Sequence, residues 1–521
     1  MSHLRFALID KKLALEPLLS EPTPTKPIAQ FDHIPHPQPN PSYQPNHDLQ
    51  ELLTGKQLLL DDLPNSLQEI QEHYKNGYIT FRKGITHRKN KPKCERCGNE
   101  DPHLFAVFPC SRCRESCTYC RKCIMMGRVS SCSVLYSWRD EIDAESIAFS
   151  ETNNNPQSSE LPTSAVVQPS LSWTGTLSPG QQAASNQVVA AIAANKELLV
   201  WAVCGAGKTE VLFEGIHHAL IQRKRVCIAT PRTDVVLELT PRLQAVFPQI
   251  EVASLYGGSE DRHKYSQLTI TTTHQLLRFY QAFDTIILDE VDAFPYSVEE
   301  ALQYAVKQAR KTISSMIYLT ATPNEKWQKE CQQGKREFVT IPARYHRYPL
   351  PVPQFVWCGH WQKLLKQDKL PTNVMKWLQN RIESKKQALF FIPKIDLIPK
   401  ILPILQQLHP KIEAVHAEDP ERKEKVKAMR RKDIPILITT TILERGVTFP
   451  NLDVAILGSE DRIFTESALV QIAGRVGRSA QFPTGDITFF HYGKTEAMIK
   501  AQNQILKMNK EALKKGLIEV E

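Results

Sequence analysis

The chain has 521 residues, 41% of them hydrophobic and 23% charged, with 65 Lys and Arg against 56 Asp and Glu. At roughly 150 residues per domain this length excludes a single small module and leaves room for about three domains. No uncharged apolar run reaches the roughly 20 residues that span a bilayer, and the stretch Phe6 to Ile9 is too short for a secretory signal. The chain therefore reads as cytosolic, and its net charge of +9 favours polyanionic partners only where it is clustered.

In chain order, residues 21–45 hold eight prolines. Missing amide donors and a fixed φ exclude helix and central strand there, so the segment is expected to be an extended, disordered arm. Residues 48–78 carry helix-like apolar spacing interrupted by Pro64-Asn65. The run FRKGITHRKNKPK at 81–93 then supplies Arg82, Lys83, Arg88, Lys89, Lys91 and Lys93 with no acid, a candidate phosphate contact.

Eight of the 12 cysteines come next, between Cys94 and Cys132. Clustering in a cytosolic chain favours metal over disulfides. CxxC knuckles present two sulfurs from one turn, and the 22 residues between Cys97 and Cys120 can close a four-thiolate Zn2+ site. Eight cysteines could hold two ions, and the core of the later part of the chain is expected not to depend on this module. From Asp140 to Asn195 there is no Lys or Arg, and the polar, Pro-containing middle of that stretch reads as a linker.

Beyond residue 170, short β-branched runs alternate with amphipathic stretches of helical length, the pattern of parallel sheets covered by helices. A proline-rich joint at 348–355 separates two such α/β lobes. The strand LLVWAV feeds Cys204-Gly205-Ala206-Gly207-Lys208-Thr209, a phosphate loop with Ala202 in place of its first Gly. There Lys208 would meet the β- and γ-phosphates of ATP, and the Thr209 hydroxyl would hold Mg2+. A second buried strand ends in Asp289-Glu290-Val291-Asp292. Asp289 suits Mg2+, and Glu290 suits the orientation or deprotonation of water. In the second lobe Arg475 and Arg478 stand three apart, expected on one helical face and directed at phosphate.

Together these residues resemble the superfamily-2 helicases and translocases over 171–500. The resemblance implies two tandem RecA-like lobes, with Gln181 reading adenine. Thr320, Thr322 and Asp292 would couple hydrolysis to movement. Thr230, Arg232, Thr272, Thr273, Thr440 and Thr441 would line a nucleic-acid track, suited to gripping phosphates without reading bases.

A zinc module ahead of such lobes, with the strings TTHQLLRFYQAFDTIILDEVDAFPY and TTILERGVTFPNLDV, resembles the late-competence DNA-uptake ATPases of the ComFA family. The resemblance implies Cys94, Cys97, Cys120 and Cys123 as zinc ligands, and leaves Cys110, Cys113, Cys117 and Cys132 for a second site. It also implies a DNA-dependent ATPase on single-stranded DNA, acting at the cytoplasmic face of the membrane. Its partners would be an uptake channel and a small phosphoribosyltransferase-like protein. A replication-restart helicase and a zinc-dependent scaffold with a weak ATP site are the alternatives. The expected layout is an arm with a helical segment at 1–90, the zinc module at 91–140, and a linker at 141–170. Lobes at 171–347 and 348–500 and a helical tail at 501–521 complete it.

Overall fold

The structure is a computed structural model that describes residues 4–88, 91–139, 169–446 and 448–519. All but the last two positions of the expected linker lie outside the described residues. The chain forms two compact units. One comprises Met1–Trp173, Ala191–Lys196 and Ile216–Ile317, the other Thr174–Ala190, Glu197–Gly215 and Tyr318–Glu521. No helix among the described residues is long and apolar enough to cross a membrane.

The first unit opens with an antiparallel hairpin, Phe6–Ile9 against Lys12–Leu15. Its two-residue turn places Asp10 and Lys11 at φ of 47° and 60°, the double left-handed geometry that matches strand twist. Helices His47–Leu53 and Leu67–Lys75 start where the Asn46 and Ser66 side chains accept the amides of Leu49 and Glu69.

The proline-rich segment is not a free arm. It is extended, as its prolines require, but Ile28, Phe31 and Ile34 are buried in one core with Phe6, Leu13, Tyr74, Phe81 and Trp138. Its backbone is satisfied by the fold: Lys26 and Phe6 exchange amide–carbonyl bonds of 3.0 and 2.9 Å, and the Pro35 carbonyl accepts the Tyr74 hydroxyl at 2.8 Å. Burial of apolar side chains between the prolines outweighs the absence of regular structure.

The expected boundary at residue 90 also falls inside paired structure. Ile79–Lys83 pairs antiparallel with Val134–Trp138, and Ile85–Arg88 with Lys91–Cys94. The cysteine segment is thus an excursion from the N-terminal fold, carrying its own hairpin of Phe105–Cys110 and Glu115–Cys120. The same unit holds a parallel array in the order Val252–Leu255, Leu268–Thr272, Val226–Thr230, Phe283–Asp289.

The second unit pairs Glu197–Ala202 with Phe338–Ile341 in parallel. It also contains a six-stranded sheet in the order Gln354–Trp357, Ile487–His491, Leu452–Leu457, Gln387–Phe391, Ile436–Thr439, Glu413–Val415. Every neighbouring pair in it is parallel. Three of its four inner strands are buried along their whole length, and Gln387–Phe391 in all but its first residue, as helices on both faces require. The C-terminal segment is a helix, Glu496–Lys514, with a buried stripe of Met498, Ala501, Ile505, Met508 and Ala512.

Candidate nucleotide and metal sites

In the second unit the buried strand Glu197–Ala202 delivers the phosphate loop. Gly205 and Gly207 take φ of 82° and 71°, which only glycine adopts at no steric cost. A Cβ on Gly207 would stand 2.4 Å from Gln181 Nε2. That amide donates to the Ala206 carbonyl at 2.9 Å, while its oxygen accepts the Ser178 amide at 2.8 Å. Gln181 therefore braces the loop backbone. Lys208 and Thr209 are half-buried at the loop's end, before a 3-10 turn and the helix Phe213–Ile221.

The arginine pair lies past the end of its helix rather than on a helical face. Glu466–Ala473 is helical, Gly474 caps it, and Gly477 at φ 69° turns the chain away. Arg475 is buried and donates from Nε and Nη2 to the Glu444 carbonyl at 2.9 and 2.6 Å. Arg478 donates to the Gly474 carbonyl at 2.8 Å.

A residue the sequence did not single out joins the two motifs. Arg344, 1% exposed, donates to the Cys204 carbonyl at 3.0 Å and to the carbonyls of Gly474, at 3.2 Å, and Val476, at 2.6 Å; it also reaches that of Gly477. Burial, and then the charge of Arg478, push its pKa down to about 10, which still leaves it protonated at neutral pH. Beside it the Cys204 thiol donates to Gln471 Oε1 at 3.1 Å. The only signal for Arg344 in the sequence is an arginine three residues after the strand Phe338–Ile341.

Thr320 and Thr322 form a local turn, with the Thr322 amide bonded to Thr320 Oγ1 at 2.9 Å. The Thr322 hydroxyl meets Ser467 Oγ at 2.8 Å, which also accepts Arg445 Nη2 at 3.2 Å. Between them, the Ala321 carbonyl accepts Trp201 Nε1 at 3.0 Å and Gln504 Nε2 at 2.6 Å. Ser467 and Gln504 have no motif of their own, and Arg445 lies in the string TTILERGVTFPNLDV without having been singled out. Thr440 and Thr441 are half-buried in this unit.

The first unit carries the acidic motif. Asp289 ends its strand and accepts the Glu290 amide on Oδ1 at 2.9 Å. Glu290 sits at φ 55°, a strained conformation for a non-glycine residue, of the kind that clusters at active sites. Asp292 is half-buried in the turn beyond it. Thr272 pairs with Thr230 across adjacent strands, and the Thr273 amide donates to the Thr230 carbonyl at 2.9 Å; all three side chains are buried. Arg232 is clasped by both carboxylate oxygens of Asp234 at 3.0 and 2.7 Å.

The eight clustered cysteines sort into two buried sets, Cys94, Cys97, Cys120 and Cys123, and Cys110, Cys113, Cys117 and Cys132, with Sγ atoms within 4.8 Å of one another in each. Four thiolates around tetrahedral Zn2+ at about 2.3 Å would have edges of about 3.8 Å. In the first set Cys94–Cys123 and Cys97–Cys120 stand 3.8 and 3.7 Å apart. In the second, Cys110–Cys132 is 3.7 Å and Cys113–Cys117 a tighter 3.1 Å. Both donor sets fit a zinc ion in chemistry and size. Arg96, inside the first knuckle, donates to Cys123 Sγ at 3.2 Å and to the carbonyls of Cys123, Met126 and Gly127. Hydrogen bonds from Cys120, Cys94 and Cys97, together with the Arg96 charge, hold the Cys123 thiol far below its ordinary range.

Comparison with known proteins gives three family matches along the chain. Residues 42–137 match the competence protein ComFA N-terminal domain, 174–325 the res subunit of type III restriction enzymes, and 369–480 the helicase conserved C-terminal domain. Competence protein ComFA of Bacillus subtilis (strain 168) is 47% identical over 467 residues, 90% of this chain and 96% of that one. The chain belongs to the ComFA family. The ComFA of Streptococcus pneumoniae (strain ATCC BAA-255 / R6) is 39% identical over 76% of this chain and 86% of its own. A solved structure of S. cerevisiae Dbp5 bound to RNA and ADP BeF3 aligns over 66% of this chain and 95% of its own, with 14% identity and a TM-score of 0.47.

As a ComFA protein with both helicase domains, the chain is a competence-associated, DNA-dependent ATPase of the helicase type, and its motor uses nucleotide and Mg2+. Three members of the basic run ahead of the cysteines, Arg82, Lys83 and Lys93, are engaged within the fold, while Lys91 is exposed. Arg82 donates to Gln57 Oε1 at 2.6 Å and lies 3.5 Å over the Tyr280 ring. Lys83 Nζ is bonded to the Phe31 carbonyl, and Lys93 pairs with Glu100 at 3.7 Å. Burial lowers the Arg82 pKa. Lys89 and the Arg88 side chain lie outside what is described.

Proposed function

We propose that this ComFA-family chain is an ATP-hydrolysing translocase on single-stranded DNA that draws transforming DNA into the cytosol during natural competence. The observation that carries the reading is the bonding of the phosphate-loop base to the arginine turn through Arg344 and Cys204 in one compact unit. A change at the nucleotide would thereby reach the turn that carries Arg475 and Arg478.

In this reading the Gly205–Lys208 backbone and the Lys208 ammonium bind the phosphates, and Thr209 and Asp289 are the ligands of Mg2+. Bound Mg2+ neutralises phosphate charge. Glu290 takes the proton of the attacking water, and Arg475 and Arg478 stabilise charge on the γ-phosphoryl oxygens. Thr230, Arg232, Thr272, Thr273, Thr440 and Thr441 are assigned to the DNA track. Each four-thiolate set takes one Zn2+, which would tie two knuckles into one fold. By family resemblance the partners are an uptake channel and a phosphoribosyltransferase-like protein, with the motor peripheral at the cytoplasmic face of the membrane.

The test is steady-state ATP turnover with single-stranded DNA, duplex DNA or RNA. Single-stranded DNA should stimulate most. Lys208→Ala and Arg478→Ala should each lower the stimulated rate by at least about 10²-fold, the scale of losing charge stabilisation in the transition state. Wild-type turnover in either variant, or equal stimulation by all three nucleic acids, would overturn it.

A further inference from the structure

Outside every helicase motif, the second unit displays an aromatic surface at the C-terminal ends of two adjacent parallel strands. Gln354–Trp357 and Ile487–His491 pair in register, with Trp357 opposite His491. Trp357 is 65% exposed and Tyr492 44% exposed. A tryptophan so far out of the core loses much of its burial energy. The exposed His360 ring lies 3.7 Å from that of Tyr492.

The rings are held from beneath. Gly359, at φ 64°, turns the chain so that the Trp357 indole lies over it, within 3.5 Å of where a Cβ would be. The Trp357 carbonyl accepts Asn373 Nδ2 at 2.9 Å, and the Cys358 amide donates to the His491 carbonyl at 2.9 Å. Glu460 accepts the Tyr492 amide at 3.2 Å and the buried Trp361 indole at 2.9 Å, so its carboxylate is already engaged. Lys494 is 5.5 Å from the Phe355 ring, next to the same strand ends. From Trp357 to Leu370 the sequence carries Lys363, Lys366 and Lys369 against Asp368 alone, with Lys366, Asp368 and Lys369 exposed.

We propose that Trp357, Tyr492 and His360 form a stacking platform for the bases of single-stranded DNA, with the neighbouring lysines neutralising its phosphates. Flat rings on a fixed backbone beside cations are what a sequence-tolerant single-strand site requires, because every base offers a π-face and every nucleotide a charge. The Thr-rich strand ends grip the backbone only; this surface would hold the bases themselves. The proposal rests on the single-stranded-DNA reading above and adds a second, base-directed contact to it.

The experiment compares labelled oligo(dT) with an abasic phosphodeoxyribose strand of equal length, by fluorescence anisotropy, on the full chain. The wild type should prefer oligo(dT). Trp357→Ala with Tyr492→Ala should weaken oligo(dT) binding by about tenfold or more, as stacking contacts do, and leave the abasic strand unchanged. Trp357→Phe should restore most of the loss. Both positions are exposed, so folding is checked simply by thermal melting. Equal loss on both strands, or unchanged binding to oligo(dT), would overturn the platform and leave the patch as a protein contact. If DNA stimulates wild-type turnover while the double variant binds as before, the platform alone has failed. A wild type that neither binds nor responds to DNA overturns both readings.

Discussion

Arg344 shows how much can hang on one side chain. Its guanidinium answers carbonyls on either side of the nucleotide motifs, and a charge buried this deeply persists only where acceptors surround it. Arg344→Met would take this donor from the Cys204 and Val476 carbonyls, at about 1–3 kcal/mol for each unsatisfied group, while Gly474 keeps Arg478. Urea unfolding should show a loss of about 3 kcal/mol or more, with a raised KM for ATP. Arg344→Lys should recover only part, since an ammonium cannot span the same fork. Lys56 makes the complementary case. Burial first, then Arg225 and Arg278, push its pKa down to about 7, opposed by Glu51, while Nζ donates to the carbonyls of His263 and Lys264. Its folded pKa is below the unfolded one, so between about 7 and 10.5 the unfolded chain binds more protons and stability rises with pH. Melting from pH 7 to 10 should show that rise, and Lys56→Met should flatten it. The motif residues were legible because phosphate chemistry fixes their type and spacing. Arg344 and Lys56 were not, because a buried cation depends on acceptors far along the chain.

Among the elements, the helix Glu496–Lys514 departs most from its sequence reading as a terminal tail. Its spacing is plainly amphipathic, but periodicity names no partner. In the structure Gln504 meets the Ala321 carbonyl between Thr320 and Thr322, Asn509 exchanges bonds of 2.8 and 2.9 Å with Leu350, and Glu511 reaches Thr340. Lys507 lies 5.4 Å over Trp201, whose indole donates to the same Ala321 carbonyl. The helix thus braces the Thr320–Thr322 turn, through which hydrolysis is proposed to drive movement. Gln504→Ala should lower the ratio of DNA-stimulated to basal turnover by about tenfold, on the scale of a buried hydrogen bond lost with its desolvation cost. Basal turnover and the KM for ATP should stay close to wild type. A matching fall in basal turnover would show a purely structural brace. In the basic run at 82–93 charge density suggested phosphate, and it could not show that Arg82 is spent on Gln57 and Tyr280.

At the scale of the whole molecule, alternating strands and helices made the parallel sheets legible, and the cysteine count made the metal module legible. What neither could show is where the module leans. The packing of the first unit argues against its expected independence. The Gln57 amide donates to the Arg278 carbonyl at 2.7 Å, Arg278 pairs with Asp62 at 3.1 Å, and Arg82 covers Tyr280. On the cysteine knuckle, Gly98 faces the Tyr304 ring so closely that a Cβ would stand 2.6 Å from it, and Lys122 pairs with Glu299 at 2.8 Å. Those partners belong to segments just past Thr273 and the Asp289–Asp292 motif. Zinc removal should therefore loosen more than the knuckles, because folding energy from metal binding is shared by whatever the folded module touches. Hydrogen exchange on the chain with Cys94→Ser and Cys97→Ser, or after chelation, should show lost protection at 275–283 and 300–309 as well as at 91–138. DNA-stimulated turnover should fall with it. Loss confined to 91–138, with turnover unchanged, would return the module to the independent fold that its spacing alone suggests.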